Sequence, residues 1–287
     1  MMSADKKVLT LQEKIESIVS AVDDLPTLPE VVTDILNNLD NDAIDFTILA
    51  KKVALDPALS AKTLRLANSP YYATQSKVKT IQQAISLLGV KTVRHIVTTA
   101  ALTNSFPEPL CQGFDFKAFW RLSMATAICS KVIARHLRLN QDIAFIAGMM
   151  HNIGRLVLAT RFSTDYEAVL AYRKEQDCAL IFAERHVMGF DHTVAGRALA
   201  DHWEFSHVLK DAISEHIQPN PVSGSHLAQI VHVANAVAHA LDLAGVEDDL
   251  VPALSESAWD ALGINRADWL QIFREVELEF GEIQMAI

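Results

Sequence analysis

The sequence contains little cysteine and few aromatic residues, and each shortage argues against a class of protein. Its 287 residues include three cysteines, Cys111, Cys129 and Cys178, which are widely spaced and form no CxxC pair. An odd number of separated cysteines argues against a disulfide framework or a zinc ribbon, so we expect reduced thiols. Aromatic residues make up 7% of the chain while 50% of it is hydrophobic, which favours closely packed aliphatic helices over a β-sandwich.

The chain also lacks net positive charge and a long apolar segment. Its formal net charge is −10, and such a field repels the phosphate backbone of nucleic acids. Residues 1–20 alternate charged and apolar side chains, without the continuous apolar core of a signal peptide. No apolar run approaches the roughly 20 residues that a transmembrane helix requires. We therefore predict a soluble cytoplasmic protein with no membrane contact.

Helix signals recur along the chain and predict an all-α fold. In TIQQAISLLGV, Thr80 is placed to cap a helix and Gly89 to end it, after which VRHIVTTAAL opens another helix. Residues 103–115, TNSFPEPLCQGFD, interrupt the pattern with two prolines and a glycine. We place a boundary there, between an N-terminal helical subdomain of residues 1–105 and a helical bundle of residues 106–287 that ends in capping helices.

The apolar segment GMMHNIGRL, residues 148–156, contains an unexpected polar pair, His151 followed by Asn152. In a single helix over about residues 141–161, one face is apolar, and a second stripe carries Ala144, Gly148, His151 and Arg155. The small side chains on that stripe predict the close approach of another helix or a ligand. A histidine beside an aspartate would suit a metal ion, whereas the neutral amide of Asn152 is a much poorer ligand.

Further motifs lie on both sides of this segment, in the order LPTLPEVVTDIL (25–36), VALDPALSAKTLRLANSPYY (53–72), TIQQAISLLGVKTVRHIV (80–97), FWRLSMATA (119–127), MGFDHTVAGRALADHW (188–203) and ISEHIQP (213–219). Together with AGMMHNIGRLVL (147–158), they resemble the HDOD branch of the HD superfamily of metal-dependent phosphohydrolases, whose members are associated with bacterial signalling. The resemblance covers nearly the whole chain from about residue 20. It implies that the N-terminal helical subdomain is packed on an HD-like helical bundle.

Carried over residue by residue, the resemblance implies a metal site without its anionic ligands. The first histidine of the catalytic pattern falls near Leu122, the central aspartate is Asn152, and the late aspartate is Asn235. Histidines could still supply nitrogens, but a two-metal hydrolytic centre needs carboxylates to hold its cations and activate water. We therefore predict no catalytic residue, no metal and no cofactor. The predicted ligand-binding or vestigial site consists of His151, Asn152, Arg155, His186, His216 and Asn235.

Structural roles compete with these assignments. His151 and Asn152 would also be satisfied as a polar pair bonded to neighbouring helices, and we favour that interpretation. The same alternative applies to His186, His192 and His216. Asp191 is placed to cap a helix that begins near His192. Another helical face carries His232, Asn235 and His239. We expect this face to be a polar stripe turned to solvent or another subunit, since no third strong metal ligand is adjacent.

These features favour a non-catalytic cytoplasmic module for signalling or regulation. It would bind a signalling protein partner, a nucleotide-like ligand, or both, in a groove around His151, where Arg155 is placed to contact a phosphate. The alternative is a metal-dependent phosphohydrolase or cyclic-dinucleotide phosphodiesterase with an atypical ligand set. That alternative requires an acidic residue outside the family positions, such as Glu184 or Asp191, to reach the site.

Two other segments suggest contacts with macromolecules. The stretch AISLLGVKTVRHIVTT has a helix, turn and helix pattern whose second helix is mostly apolar, and in an acidic chain we disfavour DNA binding. Its candidate DNA contacts are Lys91, Arg94, His95 and Thr98. The segment NRADWLQIFREVELEF has an apolar face formed by Trp269, Ile272, Phe273 and Val276. This face fits a docking helix, although we favour packing on its own domain.

Overall fold

The computed structural model describes residues 11–23, 46–55, 57–69, 77–220, 225–246 and 249–284, together with positions 25, 27–28, 32–33, 35 and 72. Within these residues the fold is all-α, as predicted, and they include no strand. The N-terminal helices are α1 (Leu11–Asp23), α2 (Phe46–Leu55), α3 (Pro57–Ala67), α4 (Ile81–Leu88) and α5 (Val90–Ser105).

Local sequence signals explain how the N-terminal helices begin and end. The Thr80 hydroxyl accepts a hydrogen bond from the Gln83 backbone N–H, and the Gln83 side chain accepts one from the Thr80 backbone, which completes a capping box for α4. Gly89 has a φ of 82° and joins α4 to α5 without any other linking residue. The two helix axes bend there by 116°. Helices α2 to α5 pack on one another, and α5 also contacts the second half of the chain.

A long buried helix, α6, lies at the centre of the second half. The remaining helices are α6 (Phe116–His136), α7 (Gln141–Met150), α8 (Ile153–Arg161), α9 (Ser163–Gln176), α10 (Leu180–Val187), α11 (His192–His202), α12 (His207–Glu215), α13 (His226–Ala240), α14 (Glu256–Ala261) and α15 (Arg266–Gln284). Helices α7, α13 and α15 pack around α6, while α11 packs against α1, α8 and α12. The hydrophobic core includes residues from α1 to α15, so the predicted subdomains share one core.

The single helix predicted over residues 141–161 is divided by a turn at His151 and Asn152 into α7 and α8. Small residues on both sides of the turn admit neighbouring helices. A Cβ on Gly148 would lie 2.7 Å from the Ala127 Cα in α6, and a Cβ on Gly154 would lie 1.8 Å from the His192 carbonyl oxygen in α11. The close approach predicted from the small side chains is therefore made by helices.

The same segment bears on the predicted absence of a membrane helix. Gln141–Arg161 is long and apolar enough to cross a membrane, contrary to our expectation for the sequence. However, 83% of its apolar window is buried inside the fold. This degree of burial is typical of the core helix of a soluble protein, so the hydropathy of the segment is explained by packing.

The C-terminal helix packs on its own domain, as we favoured. Trp269 is 4% exposed, while Ile272 and Val276 are fully buried against the rest of the fold. Arg135 of α6 donates hydrogen bonds to Glu275 and Glu279 of α15, which fixes the two helices against each other.

The three cysteines are free thiols, as predicted. Cys129 is fully buried and Cys111 is 5% exposed, whereas Cys178 is half-buried. Burial raises the pKa of both Cys111 and Cys129, and that of Cys111 rises to about 11.

A buried histidine cluster as the candidate functional site

The turn between α7 and α8 places His151 in a buried polar cluster. His151 is 0% exposed, His216 is 1% exposed and His192 is 3% exposed. The His151 and His216 ring centroids are 5.0 Å apart, and those of His192 and His216 are 5.5 Å apart. The turn, the start of α11 and the end of α12 thus bring three imidazoles together, and we call them the histidine cluster.

Burial holds His151 in its neutral form, and hydrogen bonds to protein groups orient its ring. Its Nδ1–H donates to the Gly148 carbonyl at 2.7 Å, and its Nε2 lies 3.2 Å from the side-chain amide of Asn235. Burial lowers the pKa of His151 from 6.5 to about 3. The Asn235 atom nearest to Nε2 is the amide oxygen Oδ1. Because Nδ1 keeps the single proton, Nε2 is an acceptor, so the two side chains form a hydrogen bond when the amide is turned to present its NH₂ group. An asparagine therefore suits this neutral histidine better than a carboxylate would.

A second chain of hydrogen bonds joins the histidine cluster to a half-buried arginine. Glu184 is fully buried, and its Oε2 accepts from His192 Nδ1–H at 2.6 Å and from the His192 backbone N–H at 3.0 Å. Its Oε1 accepts from the Tyr166 hydroxyl at 3.1 Å. The Arg155 Nε–H donates to that hydroxyl at 3.4 Å. The guanidinium of Arg155 also lies 6.0 Å from the Phe114 ring centroid, within the range of a cation–π contact.

His216 and His232 are positioned by backbone contacts. The Nδ1–H of His216 donates to the Ile213 carbonyl at 2.9 Å, and that of His232 donates to the His216 carbonyl at 2.7 Å. The Nε2 of His232 accepts from the Ser255 backbone N–H at 2.8 Å. Burial lowers the pKa of both histidines. His232 and Asn235 are 4% and 5% exposed, so the predicted polar stripe facing solvent is wrong for these two residues.

The structure brings five of the six predicted site residues into or beside one network. His151, His216 and Asn235 are in contact, Asn152 is 5% exposed at the same turn, and Arg155 is linked through Tyr166. His186 is the exception, because it is exposed and its ring stacks on Tyr172 at 4.3 Å. The predicted groove around His151 is not open to solvent, since the His151 side chain is 0% exposed.

From the sequence we favoured a structural role for His192 over a role in the site, and we did not consider Tyr166. The sequence offered one indication of where His192 lies, its position directly after the predicted cap residue Asp191. The Oδ1 of Asp191 accepts a hydrogen bond from the Thr193 backbone N–H at 2.9 Å. Asp191 does act as the predicted cap, and it also forms an ion pair with Arg185 at 2.7 Å. Tyr166 had no signal in STDYEAVL, because its role depends on how α9 packs against α10.

The donor set does not fit a two-metal hydrolytic centre. Leu122 is buried and offers no ligand atom, and Asn152 and Asn235 are neutral amides where the HD resemblance implies carboxylates. Glu184 does reach the histidine cluster, but its oxygens accept from His192 and Tyr166. No group of three histidine, cysteine, aspartate or glutamate side chains in the described ranges is arranged to hold a metal ion.

A separate buried ion pair joins α5 to α7. Arg94 is 1% exposed and its Nη1 lies 2.8 Å from Asp142 Oδ2, while His95 Nε2 lies 2.9 Å from the other oxygen. The His95 ring also stacks on Phe145 at 4.0 Å. Thr98 is also fully buried, so three of the four side chains considered for DNA contact are turned into the core and are not available to a DNA groove.

A helical bundle with a buried histidine cluster at the turn after α7 defines a domain of the HD superfamily type. The family model of the HDOD domain matches residues 25–219, which is more than half of the chain, and the protein belongs to this family. The match runs across the boundary that we predicted at residue 105, and the division into two subdomains stays a prediction.

Solved structures are similar over nearly the whole chain. An HDOD domain protein of unknown function from Geobacter sulfurreducens has 23% identity and a TM-score of 0.80, covering 96% of this chain and 98% of that one. A candidate phosphohydrolase from Shewanella amazonensis SB2B has 26% identity and a TM-score of 0.71, covering 94% and 97%. A candidate signal transduction protein from Marinobacter aquaeolei VT8 has 23% identity and a TM-score of 0.77, covering 96% and 65%. No curated protein matches the chain.

Proposed function

We propose that this HDOD protein is a non-catalytic regulatory module in the cytoplasm, which acts by binding a signalling protein partner. The observation that supports the proposal is the amide chemistry at Asn152 and Asn235, where the HD resemblance implies carboxylates. Neutral amides do not balance the charge of two cations or lower the pKa of a bridging water. The contact between neutral His151 and Asn235 is consistent with a structural role for the residues at the positions of the HD metal site.

We also propose that the protein binds a nucleotide-like ligand, and that Arg155 binds the phosphate of this ligand. Its guanidinium is half-buried and ends the chain of hydrogen bonds that leads to the histidine cluster. A phosphate would accept two parallel hydrogen bonds from this group. In a titration with a fluorescent AMP analogue, we expect Arg155→Ala to abolish binding while Arg161→Ala, an exposed neighbour on the same helix, retains it. Equal affinity in both variants, or no binding to the unmodified protein, would contradict this assignment.

One observation favours the alternative of a phosphohydrolase with an atypical ligand set. Glu184 lies in contact with His192, so an acidic residue from outside the family positions does reach the histidine cluster. The Shewanella amazonensis relative is described as a candidate phosphohydrolase. For catalysis, however, Glu184 would have to exchange its bonds to His192 and Tyr166 for bonds to a cation. A single carboxylate would leave most of the charge of the bound cations uncompensated in this buried site, which makes the exchange unfavourable.

Metal content and phosphodiester hydrolysis distinguish the two candidates. Protein without a histidine tag would be purified after expression with manganese, iron and zinc, analysed by mass spectrometry, and assayed with bis(p-nitrophenyl) phosphate. We expect less than about a tenth of an equivalent of any metal. We also expect hydrolysis no faster than with His151→Gln, while His207→Gln, an exposed histidine, serves as the control. About one or two equivalents of metal, lost together with hydrolysis in His151→Gln alone, would overturn the proposal.

A further inference from the structure

A large cavity lies apart from the histidine cluster, where the N-terminal helices meet the bundle. It has a volume of about 710 Å³ and is bordered by α3, α5, α6, α7 and the end of α15. This volume is within the range of about 300–1,000 Å³ that is typical of small-molecule sites. None of the described residues that line it belongs to the histidine cluster. The cavity therefore requires an explanation of its own.

The walls of the cavity are mainly aliphatic and aromatic. The apolar residues at its inner surface include Leu66, Ile96, Met124, Phe145, Met149 and Phe280. The described lining contains no asparagine or glutamine, which are the side chains that recognise adenine through a pair of hydrogen bonds. Each methylene group that enters such a space from water contributes about 0.8 kcal/mol. An aliphatic chain thus fits these walls better than a nucleobase does.

Basic side chains outnumber acidic ones around the cavity, although the whole chain is acidic. Its lining includes five lysines and arginines but two glutamates, against a formal net charge of −10 for the protein. Lys131 pairs with Glu279, and Arg121 donates to the Ala244 carbonyl at 2.7 Å. Lys62 and Lys117 form no ion pair with any side chain in the described part of the chain. These two lysines are available to an anion.

The surroundings of Lys62 show that an anion would stabilise its charge. Burial lowers the pKa of Lys62, and the neighbouring cation Arg65 lowers it further. A cation that is partly desolvated beside another cation gains free energy when a carboxylate or phosphate binds next to it. The positive charge of Lys62 and Lys117 and the apolar walls of the cavity therefore favour the same kind of ligand. Such a ligand has a single anionic head and a hydrophobic tail.

We propose that this cavity binds an amphipathic anion with an aliphatic chain, in the class of fatty acids and alkyl phosphates, with its head at Lys62 and its chain between α5, α6 and α15. The site lies outside the histidine cluster and is independent of the function proposed for that cluster. Because the lining comes from both predicted subdomains and from the C-terminal helix, the ligand contacts all three parts of the fold at once.

Calorimetric titration of the full chain with dodecanoate and with dodecyl phosphate tests the proposal, and dodecanol serves as the uncharged control. We expect one molecule bound per chain, with the tighter of the two anions identifying the head group. Lys62→Met should weaken binding about tenfold, because it removes one charge-assisted hydrogen bond and keeps the side-chain stem. Lys174→Met, an exposed lysine on α9 away from the cavity, should leave the affinity unchanged.

A second variant tests the location without altering charge. Thr103 is half-buried on α5 and lines the cavity, so Thr103→Phe should obstruct part of the space and weaken binding while thermal unfolding remains cooperative. Equal affinity for dodecanol and dodecanoate would overturn the proposal, and so would unchanged binding in Lys62→Met. Several weak equivalents that are insensitive to both variants would indicate nonspecific adsorption and would also overturn it.

Discussion

Acid should destabilise this protein through His151, and the size of the effect follows from its burial. The pKa of His151 is lowered from 6.5 to about 3 in the fold, chiefly because the ring is fully desolvated. Below pH 6.5 the unfolded chain takes up a proton at this histidine, whereas the folded chain does not until about pH 3. Stability is therefore complete above pH 6.5 and falls as the pH decreases towards 3.

The difference of pKa sets the magnitude of this loss. Each pKa unit corresponds to about 1.4 kcal/mol, so His151 alone accounts for a loss of about 5 kcal/mol once the pH is below both values. At pH 5 the same relation gives a loss of about 2 kcal/mol relative to neutral pH. His216 acts in the same direction, because burial and the neighbouring His151 lower its pKa as well.

Urea denaturation at pH 7 and pH 5, followed by the helical circular dichroism signal, measures the loss. His151→Gln keeps an amide that can hydrogen-bond but does not titrate, so the decrease between the two pH values should be about 2 kcal/mol smaller than in the unmodified protein. His207→Gln, an exposed histidine, should show the full decrease. An equal decrease in the unmodified protein and in His151→Gln would refute the burial argument.

Two pairs of substitutions, each a variant with its control, test contacts between helices. Gly154→Ala should lower the free energy of unfolding by at least about 3 kcal/mol, because its Cβ would overlap a backbone oxygen of α11. Gly281→Ala should raise it by roughly 0.5 kcal/mol, because a Cβ there meets nothing within 4 Å. Arg94→Met should cost about 3 kcal/mol by leaving buried Asp142 without its cation, whereas Arg197→Met, in a half-exposed pair, should cost less than about 1 kcal/mol. Chemical denaturation checks each value, and equal losses within either pair would contradict the packing described.

Features that depend on neighbouring residues in the sequence were predictable. The capping box of Thr80 and Gln83 involves two residues three positions apart, so the start of α4 could be identified without knowledge of the rest of the fold. The turn at His151 and Asn152 was not predicted, because the apolar periodicity continues on both sides of it and conceals the break.

The composition of the histidine cluster could be predicted only in part. Successive residues of a helix turn by about 100°, so Glu184 and His186 of α10 point in directions about 200° apart. When Glu184 is buried, His186 must face outwards, and no single-sequence pattern shows which of the two is turned inwards. His192 joins the cluster because α11 packs against α8 at Gly154 and against Ile213 of α12 at Gly196, contacts that no pattern in the sequence shows.

The unequal burial of the three thiols makes the natural sequence suitable for site-specific labelling. A maleimide reagent reacts with an accessible thiolate, and burial together with a raised pKa protects Cys129 and Cys111 from it. Cys178, between α9 and α10, is the thiol with solvent access. A single fluorophore or spin label can thus be attached six residues after Tyr172, just beyond the end of α9, without any engineered cysteine. Such a probe would report directly on movement of the helices that carry Tyr166 and Glu184.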